Sequence, residues 1–130
     1  MHLVTGKPSK QRKMIYEAPL HRLRKFLTAP LSEELRKSQE RRSYPVRKGD
    51  TVKILRGDFA GIEGKINDID TRKQRLFVEG VQREKTSGTT AKVSVNSSKV
   101  MITKLNLDDK WRGESVKLSR SKPATAEAGA

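Results

Sequence analysis

The side chains best able to do chemistry in this sequence are lysines and arginines, which are concentrated in the first third of the chain. Residues 1–48 carry 13 of them against four acidic residues, a local net charge of +9. A segment this basic repels itself unless it meets an anion, and polyphosphate is the commonest one. The irregular spacing suits contacts to phosphate groups rather than readout of base edges. The predicted nucleic-acid contacts in this segment are Lys7, Lys10, Arg12, Lys13, Arg22, Arg24, Lys25, Arg36, Lys37, Arg41, Arg42, Arg47 and Lys48.

Residues suited to catalysis or metal binding are scarce. The chain has no cysteine and two isolated histidines, which gives neither a thiol nucleophile nor a zinc site. The Gly64-Lys65 pair lacks the rest of a phosphate-binding loop, because Phe59 and Ile66 occupy positions where that loop needs glycine and serine or threonine. We therefore expect no enzyme activity, no catalytic residue, and no metal, cofactor or small-molecule substrate.

The length and composition limit the architecture. A chain of 130 residues with a net charge of +14 and 33% hydrophobic residues fits one modest domain with extensions. No apolar run is long enough to cross a membrane, and no apolar run follows the N-terminal charges. We expect a cytoplasmic protein with no membrane insertion and no secretory signal.

The elements that must position the basic residues are two short helices. Residues 1–13 have no period and predict an extended tail. Pro19 can begin a helix whose apolar stripe is Leu20, Leu23 and Leu27, and Pro30 would end it. Ser32 then predicts the N-cap of a second helix, with two glutamates in its first turn and basic residues late, namely Arg36, Lys37, Arg41 and Arg42.

The middle of the chain changes to a period of two, which is typical of strands. Five strands are predicted over residues 51–55, 62–70, 74–81, 91–96 and 99–105, and this number in so short a segment favours a small SH3-like barrel. Val52 and Ile54 would point inward and leave Lys53 facing outward. Gly57, Gly61 and Gly64 mark bends or close backbone approaches.

The predicted fold is therefore mainly β, with three parts. Residues 1–43 form a basic RNA-binding arm with short helices, residues 44–106 the barrel, and residues 107–130 a C-terminal extension whose end, residues 119–130, is flexible. Removal of residues 1–42 is expected to leave a folded barrel. Trp111 in the extension could pack on the barrel or on a partner.

The aromatic residues of the arm have two interpretations. Tyr16, Phe26 and Tyr44 could stack on bases, or they could pack against neighbouring apolar residues. The sequence leaves both open, with packing favoured for Phe26 and Tyr44.

One glycine-rich segment resembles a known motif. Residues 47–54 (RKGDTVKI) and 57–66 (GDFAGIEGKI) look like a KOW motif, with Gly61 at its nearly obligatory glycine. Lys53, Arg56 and Lys65 flank this loop and complete the predicted RNA contacts. The loop itself contains Asp58 and Glu63, so we expect little phosphate contact by its own side chains.

The flanking segments narrow the resemblance to one family. APLH at 18–21, APLSEELR at 29–36, RSYPVRKGD at 42–50, VEGV at 78–81 and SKVMIT at 98–103 resemble the large-subunit ribosomal protein L24 family in its archaeal and eukaryotic form, called L26 in eukaryotes. The details look archaeal. The resemblance covers about residues 10–110.

This resemblance implies a function. Family members are structural constituents of the large ribosomal subunit, bind the 5′ region of large-subunit rRNA early in assembly, and lie near the exit of the peptide tunnel. The implied partners are rRNA and neighbouring ribosomal proteins. The alternative is a KOW module of a transcription elongation factor, although 130 residues leave little room for a polymerase-binding domain.

Some basic residues stay ambiguous. Five basic residues lie on predicted turns or strand edges, and each could be either a solvated charge or an RNA contact. They are Arg72, Lys73, Arg75, Arg83 and Lys85.

Overall fold

The N-terminal third of the chain consists of three helices and two very short strands. The computed structural model describes residues 5–120, with side chains through Val116. The elements in this third are α1 (Pro8–Glu17), α2 (Leu20–Phe26), β1 (Thr28–Pro30), α3 (Glu33–Gln39) and β2 (Ser43–Pro45). Strands β1 and β2 pair antiparallel, with Ala29 opposite Tyr44.

The rest of the described chain forms an antiparallel sheet and a final helix. The elements are β3 (Thr51–Ile54), β4 (Glu63–Asp70), β5 (Arg75–Glu84), β6 (Thr90–Asn96), a 3-10 turn, β7 (Val100–Lys104) and α4 (Lys110–Arg120). The five strands lie in the order β6-β5-β4-β3-β7, and all neighbours are antiparallel. Strand β3, at 51–54, therefore lies between the first long hairpin and the last strand.

The period-two pattern predicted all five strands of this sheet to within a few residues. Val52 and Ile54 are buried and Lys53 is exposed, as the alternation of side chains requires. A tight turn joins β4 to β5, and Ser87 and Gly88 lie in the turn before β6. Residues 5–120 are thus mainly β, with four helices.

The predicted extended tail at residues 1–13 is wrong for residues 8–13, which belong to α1. Residues 1–4 lie outside the described residues. Pro8 stands in the first turn, where its missing N–H costs nothing. The helix contains no buried residue, so no apolar stripe indicated it. Lysine, arginine, glutamine and methionine are good helix formers, and they support it locally.

The two predicted helices of the arm are present, but both end earlier than predicted. Helix α3 ends at Gln39, because Glu40 adopts a left-handed conformation, so Arg41 and Arg42 lie outside it. Ser32 caps α3, since its Oγ accepts a hydrogen bond from the backbone N–H of Leu35 at 3.5 Å. The first helix ends at Phe26 rather than near Pro30. It ends early because Thr28–Pro30 leaves the helix to pair with β2.

The hydrophobic core includes residues of the arm as well as of the sheet. Leu27, Ala29 and Leu31 are buried in the same cluster as Val52 and Ile102. Leu31 also forms a bridge with Ile102, and the next backbone N–H donates to the Ile102 carbonyl at 2.9 Å. Removal of residues 1–42 would take these side chains out of the core, so this structure argues against the expectation of an intact barrel after that deletion.

The three glycines of the loop segment are required for different structural reasons. Gly57 and Gly61 adopt positive φ angles of 106° and 89°, which other residues rarely adopt. At Gly64, an added Cβ would lie 2.5 Å from the Glu79 carbonyl oxygen and 2.9 Å from Val78 Cγ1. Gly64 therefore allows β4 and β5 to approach closely.

The C-terminal extension begins with an ordered helix. Helix α4 contributes Val116 to the core and runs through Arg120, so residues 119 and 120 of the predicted flexible tail are helical. The remainder of that tail lies outside the described residues. Trp111 is 76% exposed and does not pack on the sheet. No helix in the described range 5–120 is long and apolar enough to cross a membrane.

Candidate nucleic-acid interface

The first group of predicted contacts lies on α1. Lys10, Arg12 and Lys13 belong to the helix, Lys7 is its N-cap, and all four are exposed. Lys13 forms an ion pair with Glu17 at 3.6 Å, one turn later on the same helix. An exposed pair of this kind is weak, so a phosphate could compete for Lys13. The cationic groups of helix α1 are therefore largely available to bind phosphates.

The second group lies on α2, α3 and the segment that follows. Arg22, Arg24 and Lys25 are exposed, while Leu23 between them is buried and fixes the orientation of α2. The other exposed members are Arg36, Lys37, Arg41 and Arg42.

Arg36 and Arg41 already make contacts within the chain. Arg36 donates from Nε to the Leu31 carbonyl at 3.0 Å, and the guanidinium of Arg41 lies 5.9 Å from the centre of the Tyr44 ring. Both side chains are exposed, so their terminal nitrogens can still reach a phosphate.

Arg47 and Lys48 lie between β2 and β3, and both pair with carboxylates. Arg47 is half-buried and pairs with Asp109, while the exposed Lys48 pairs with Asp68. A hydrogen bond from Lys48 holds the pKa of Asp68 below its usual value, and the backbone N–H of Ile69 lowers it further. A hydrogen bond from Arg47 likewise lowers the pKa of Asp109. Both carboxylates stay charged at neutral pH, so Arg47 and Lys48 are less available to RNA than the helical cations.

Lys53 and Lys65 share the outer face of the sheet. Thr51 is opposite Lys65, and Lys53 is opposite Glu63, in the β3–β4 register. The Glu63 carboxylate accepts a hydrogen bond from the Thr103 hydroxyl at 2.7 Å. The acidic side chain expected in the loop is thus directed at β7, and both lysines stay exposed.

The loop between β3 and β4 forms part of a small basic cavity. Asp58 pairs with Arg83 at 3.2 Å. A cavity of about 250 Å³ is lined by these two residues together with Arg56, Arg75 and Lys99. Arg75 and Arg83 were ambiguous from the sequence, and Lys99 was not among the predicted contacts. The β5–β6 pairing places Arg75 opposite Asn96, so a prediction of this register could have indicated that these residues lie close together.

The three aromatic residues of the arm differ in how far they are exposed. Tyr44 is buried beneath the guanidiniums of Arg41 and Arg112, so it packs and does not offer a face to a base. Phe26 is half-buried at the end of α2. Tyr16 is 86% exposed on α1 and is the aromatic residue of the arm that is free to stack.

A buried ion pair between Asp50 and Arg112 was not indicated by any pattern in the sequence. Arg112 donates from Nη1 and Nη2 to the two carboxylate oxygens of Asp50 at 2.6 and 2.7 Å. The same nitrogens donate to the carbonyls of Asn106 and Pro45 at 3.0 Å. The Asp50 carboxylate also accepts hydrogen bonds from the backbone N–H groups of Arg47 and Asn106, both at 2.9 Å. This buried pair fixes α4 to the start of β3 and supports the segment that carries Arg47.

Together these side chains can bind a polyanion and have no arrangement for catalysis. The predicted contacts are exposed, except the half-buried Arg47, and they are distributed over three helices and one sheet face. Within residues 5–120, no group of three or more His, Cys, Asp or Glu side chains could hold a metal ion. The geometry fits a broad phosphate-bearing surface better than a compact ligand.

Comparisons with known proteins all indicate the same family. The family described as the eukaryotic ribosomal proteins L26 and the archaeal ribosomal proteins L24 matches residues 5–119. A "Large ribosomal subunit protein uL24" of Korarchaeum cryptofilum is 47% identical over 112 residues, which are 86% of both chains. The protein of the same description from Saccharolobus solfataricus is 46% identical over 92% of this chain and 99% of its own. That from Methanoregula boonei is 48% identical over 88% and 94%.

Proposed function

Because the chain belongs to the family of the eukaryotic ribosomal proteins L26 and the archaeal ribosomal proteins L24, we propose that it fixes the fold of large-subunit rRNA by neutralising phosphates with its helices and sheet. The family is structural rather than enzymatic, and its members from archaea are proteins of the large ribosomal subunit. The cytoplasmic ribosome is the place where such a protein acts.

The observation that carries the proposal is the state of the cations on α1 and α2. Lys10, Arg12, Arg22, Arg24 and Lys25 are exposed, and none of them forms an ion pair within the described part of the chain. Cations that lack intramolecular partners bind phosphates without first giving up an internal contact. Release of condensed counterions from the RNA then supplies much of the binding free energy.

The finer parts of the proposal concern the target and the fold. We propose that the target is the 5′ region of large-subunit rRNA, bound early in assembly, and that the protein lies near the peptide tunnel exit beside other large-subunit proteins. The five-stranded sheet would be an SH3-like KOW domain, which is supported by the positive φ of Gly57 and Gly61 and the close approach at Gly64.

The division into a basic arm (1–43), a sheet domain (44–106) and a C-terminal extension (107–130) is proposed as a functional one. Folding does not follow it, since Leu27 and Leu31 of the arm and Val116 of the extension share the core of the sheet.

A binding titration of the full chain tests this function. The probes are a 5′ fragment of large-subunit rRNA, a scrambled RNA of equal length and a DNA duplex, each at about 50 and 200 mM salt. Tighter binding of the native fragment at the higher salt, with affinity falling steeply with salt for all three, would support the proposal. For six to ten phosphate contacts the fall is about 10³- to 10⁵-fold. Equal affinity for all three probes would contradict recognition of folded rRNA.

A further inference from the structure

A cleft of about 840 Å³ lies between the α1–α2 corner and the turn that joins β4 to β5. Tyr16, Leu20 and Ile15 contribute to its lining, and these three are among the exposed large apolar side chains of the chain. Concave sites of several hundred cubic ångströms with an apolar lining and a few polar groups are typical of ligand sites. The size of this cleft is suitable for a nucleotide.

The charge of the cleft is strongly positive. Arg12 from α1 and Arg72, Lys73 and Arg75 from the β4–β5 turn and β5 all line it. Among the described residues, none of these four forms an ion pair. The acidic residue that lines the cleft, Glu17, already pairs with Lys13 at 3.6 Å. The cleft therefore joins exposed aromatic surface with cations that lack carboxylate partners.

The turn that closes the cleft contains a residue with unusual geometry. Gln74 lines the cleft and has a φ of 55°, a left-handed conformation that costs energy in residues other than glycine. Its side-chain Nε2 is buried and has no hydrogen-bond partner among the described residues. A buried donor without a partner is costly, so the turn beside the cleft holds both an unfavourable backbone conformation and an unsatisfied side chain.

We propose that this cleft holds one unstacked nucleotide of RNA, with its base on the Tyr16 ring and its flanking phosphates near Arg12 and Arg72. The proposal rests on the proposed RNA-binding function and adds a specific subsite to it. Aromatic rings accept splayed bases of single-stranded RNA by stacking, and nearby cations hold the backbone. An acidic peptide would satisfy the cations but would leave the Tyr16 ring, 86% exposed, without a stacking partner.

Two RNA hairpins that differ by one unpaired uridine test the subsite in the full-length protein. Wild type should bind the bulged hairpin at least about 5-fold more tightly than the fully paired one, which is the effect of one stacked base. Tyr16→Ala should remove this difference and leave the affinity for the paired hairpin unchanged. Tyr16→Phe should keep the difference, because the ring and not the hydroxyl makes the contact. Tyr16 is so exposed that these variants should fold like wild type, which circular dichroism would check.

Trp111→Ala provides the matched control, because Trp111 is also an exposed aromatic residue on a helix but does not line the cleft. It should preserve the preference for the bulge. Equal binding of both hairpins by wild type would overturn the subsite and leave RNA binding standing, whereas no binding to either hairpin would overturn the proposed function as well. Tyr16-dependent binding of an acidic peptide that displaces the bulged hairpin would identify a peptide site and overturn the subsite.

Discussion

At the scale of single residues, Arg112 makes four side-chain hydrogen bonds. Its two terminal nitrogens meet both oxygens of Asp50 and two backbone carbonyls, and its guanidinium lies 5.4 Å from the centre of the Tyr44 ring. Asp50 is fully buried and Arg112 almost so. Burial of two charges is costly, and only close geometry with further hydrogen bonds compensates for it. Each charge of this pair therefore depends on the other.

The first prediction concerns this pair. Arg112→Met keeps an unbranched apolar stem but removes the guanidinium, and it leaves the Asp50 carboxylate buried with only two backbone donors. We expect the free energy of unfolding to fall by about 3–5 kcal/mol, as when one partner of a buried pair is removed. Urea denaturation followed by circular dichroism measures the change.

The double variant Asp50→Asn with Arg112→Met is the internal test of the coupling. It should lose less than the sum of the two single variants, because neither charge is then left alone. Lys13→Met, which removes an exposed pair, should change stability by no more than about 0.5 kcal/mol. Additive losses in the double variant would mean that the two side chains act independently.

At the scale of elements, what could be predicted depended on whether an element carries a local pattern. Strands β3 and β7 alternate buried and more exposed residues, and α3 has Ser32 at its N-cap, so these elements were predicted from neighbouring residues. Helix α1 buries nothing and so has no apolar period. Strands β1 and β2 are three residues long, too short for alternation to be read. The link between Asp50 and Arg112 spans 62 positions, and no local pattern reports a contact so distant.

The candidate interface was likewise predicted only where a local property of the sequence indicated it. Charge density identified the basic residues, and exposure of the side chains on α1–α3 is consistent with that prediction, although their contacts with RNA stay predictions. The cavity that collects Arg56, Arg75 and Lys99 depends on the pairing of distant strands. The pairing of Arg47 with Asp109 depends on the position of α4. Composition carries no information about either.

The second prediction compares two N-terminal deletions. Deletion of residues 1–18 removes α1, which has no buried residue, so the sheet should stay folded with little loss of stability. Four cations of the interface leave with it: Lys7, Lys10, Arg12 and Lys13. We expect RNA affinity to fall and the salt dependence, as log affinity against log salt, to become shallower by about 3. Fluorescence anisotropy at several salt concentrations measures both.

Deletion of residues 1–42 is the contrasting variant. It removes Leu27, Ala29 and Leu31 from the core and β1 from its pairing with β2. Thermal unfolding should then show a chain that is largely unfolded or melts far below wild type. A cooperative transition like that of wild type would show that the sheet domain folds without the arm.

At the scale of the whole molecule, the net charge of +14 raises the question whether RNA responds to the total charge or to particular side chains. A general field attracts RNA and speeds association, but it does not require any one residue to touch a phosphate. Direct contacts release counterions in proportion to the phosphates neutralised. Two variants with the same net charge and different positions of the removed cations separate these effects.

The third prediction uses this contrast. Arg22, Arg24 and Lys25, all replaced by glutamine, lower the net charge by three within the proposed interface on α2. Three lost phosphate contacts should make the slope of log affinity against log salt shallower by about 2–3. The matched variant replaces three exposed lysines that are neither predicted nor ambiguous RNA contacts, again by glutamine: Lys92, Lys104 and Lys110.

The matched variant should change the slope by less than about 1, because its lysines act only through the general field. Both proteins carry the same net charge, so a difference between their slopes can come only from the positions of the removed cations. Leu23, the buried residue of α2, is kept in both, so the burial of α2 should not change. Equal slopes for the two variants would mean that RNA binds the chain as a diffuse positive body, and the surface formed by α1–α3 would lose its special role.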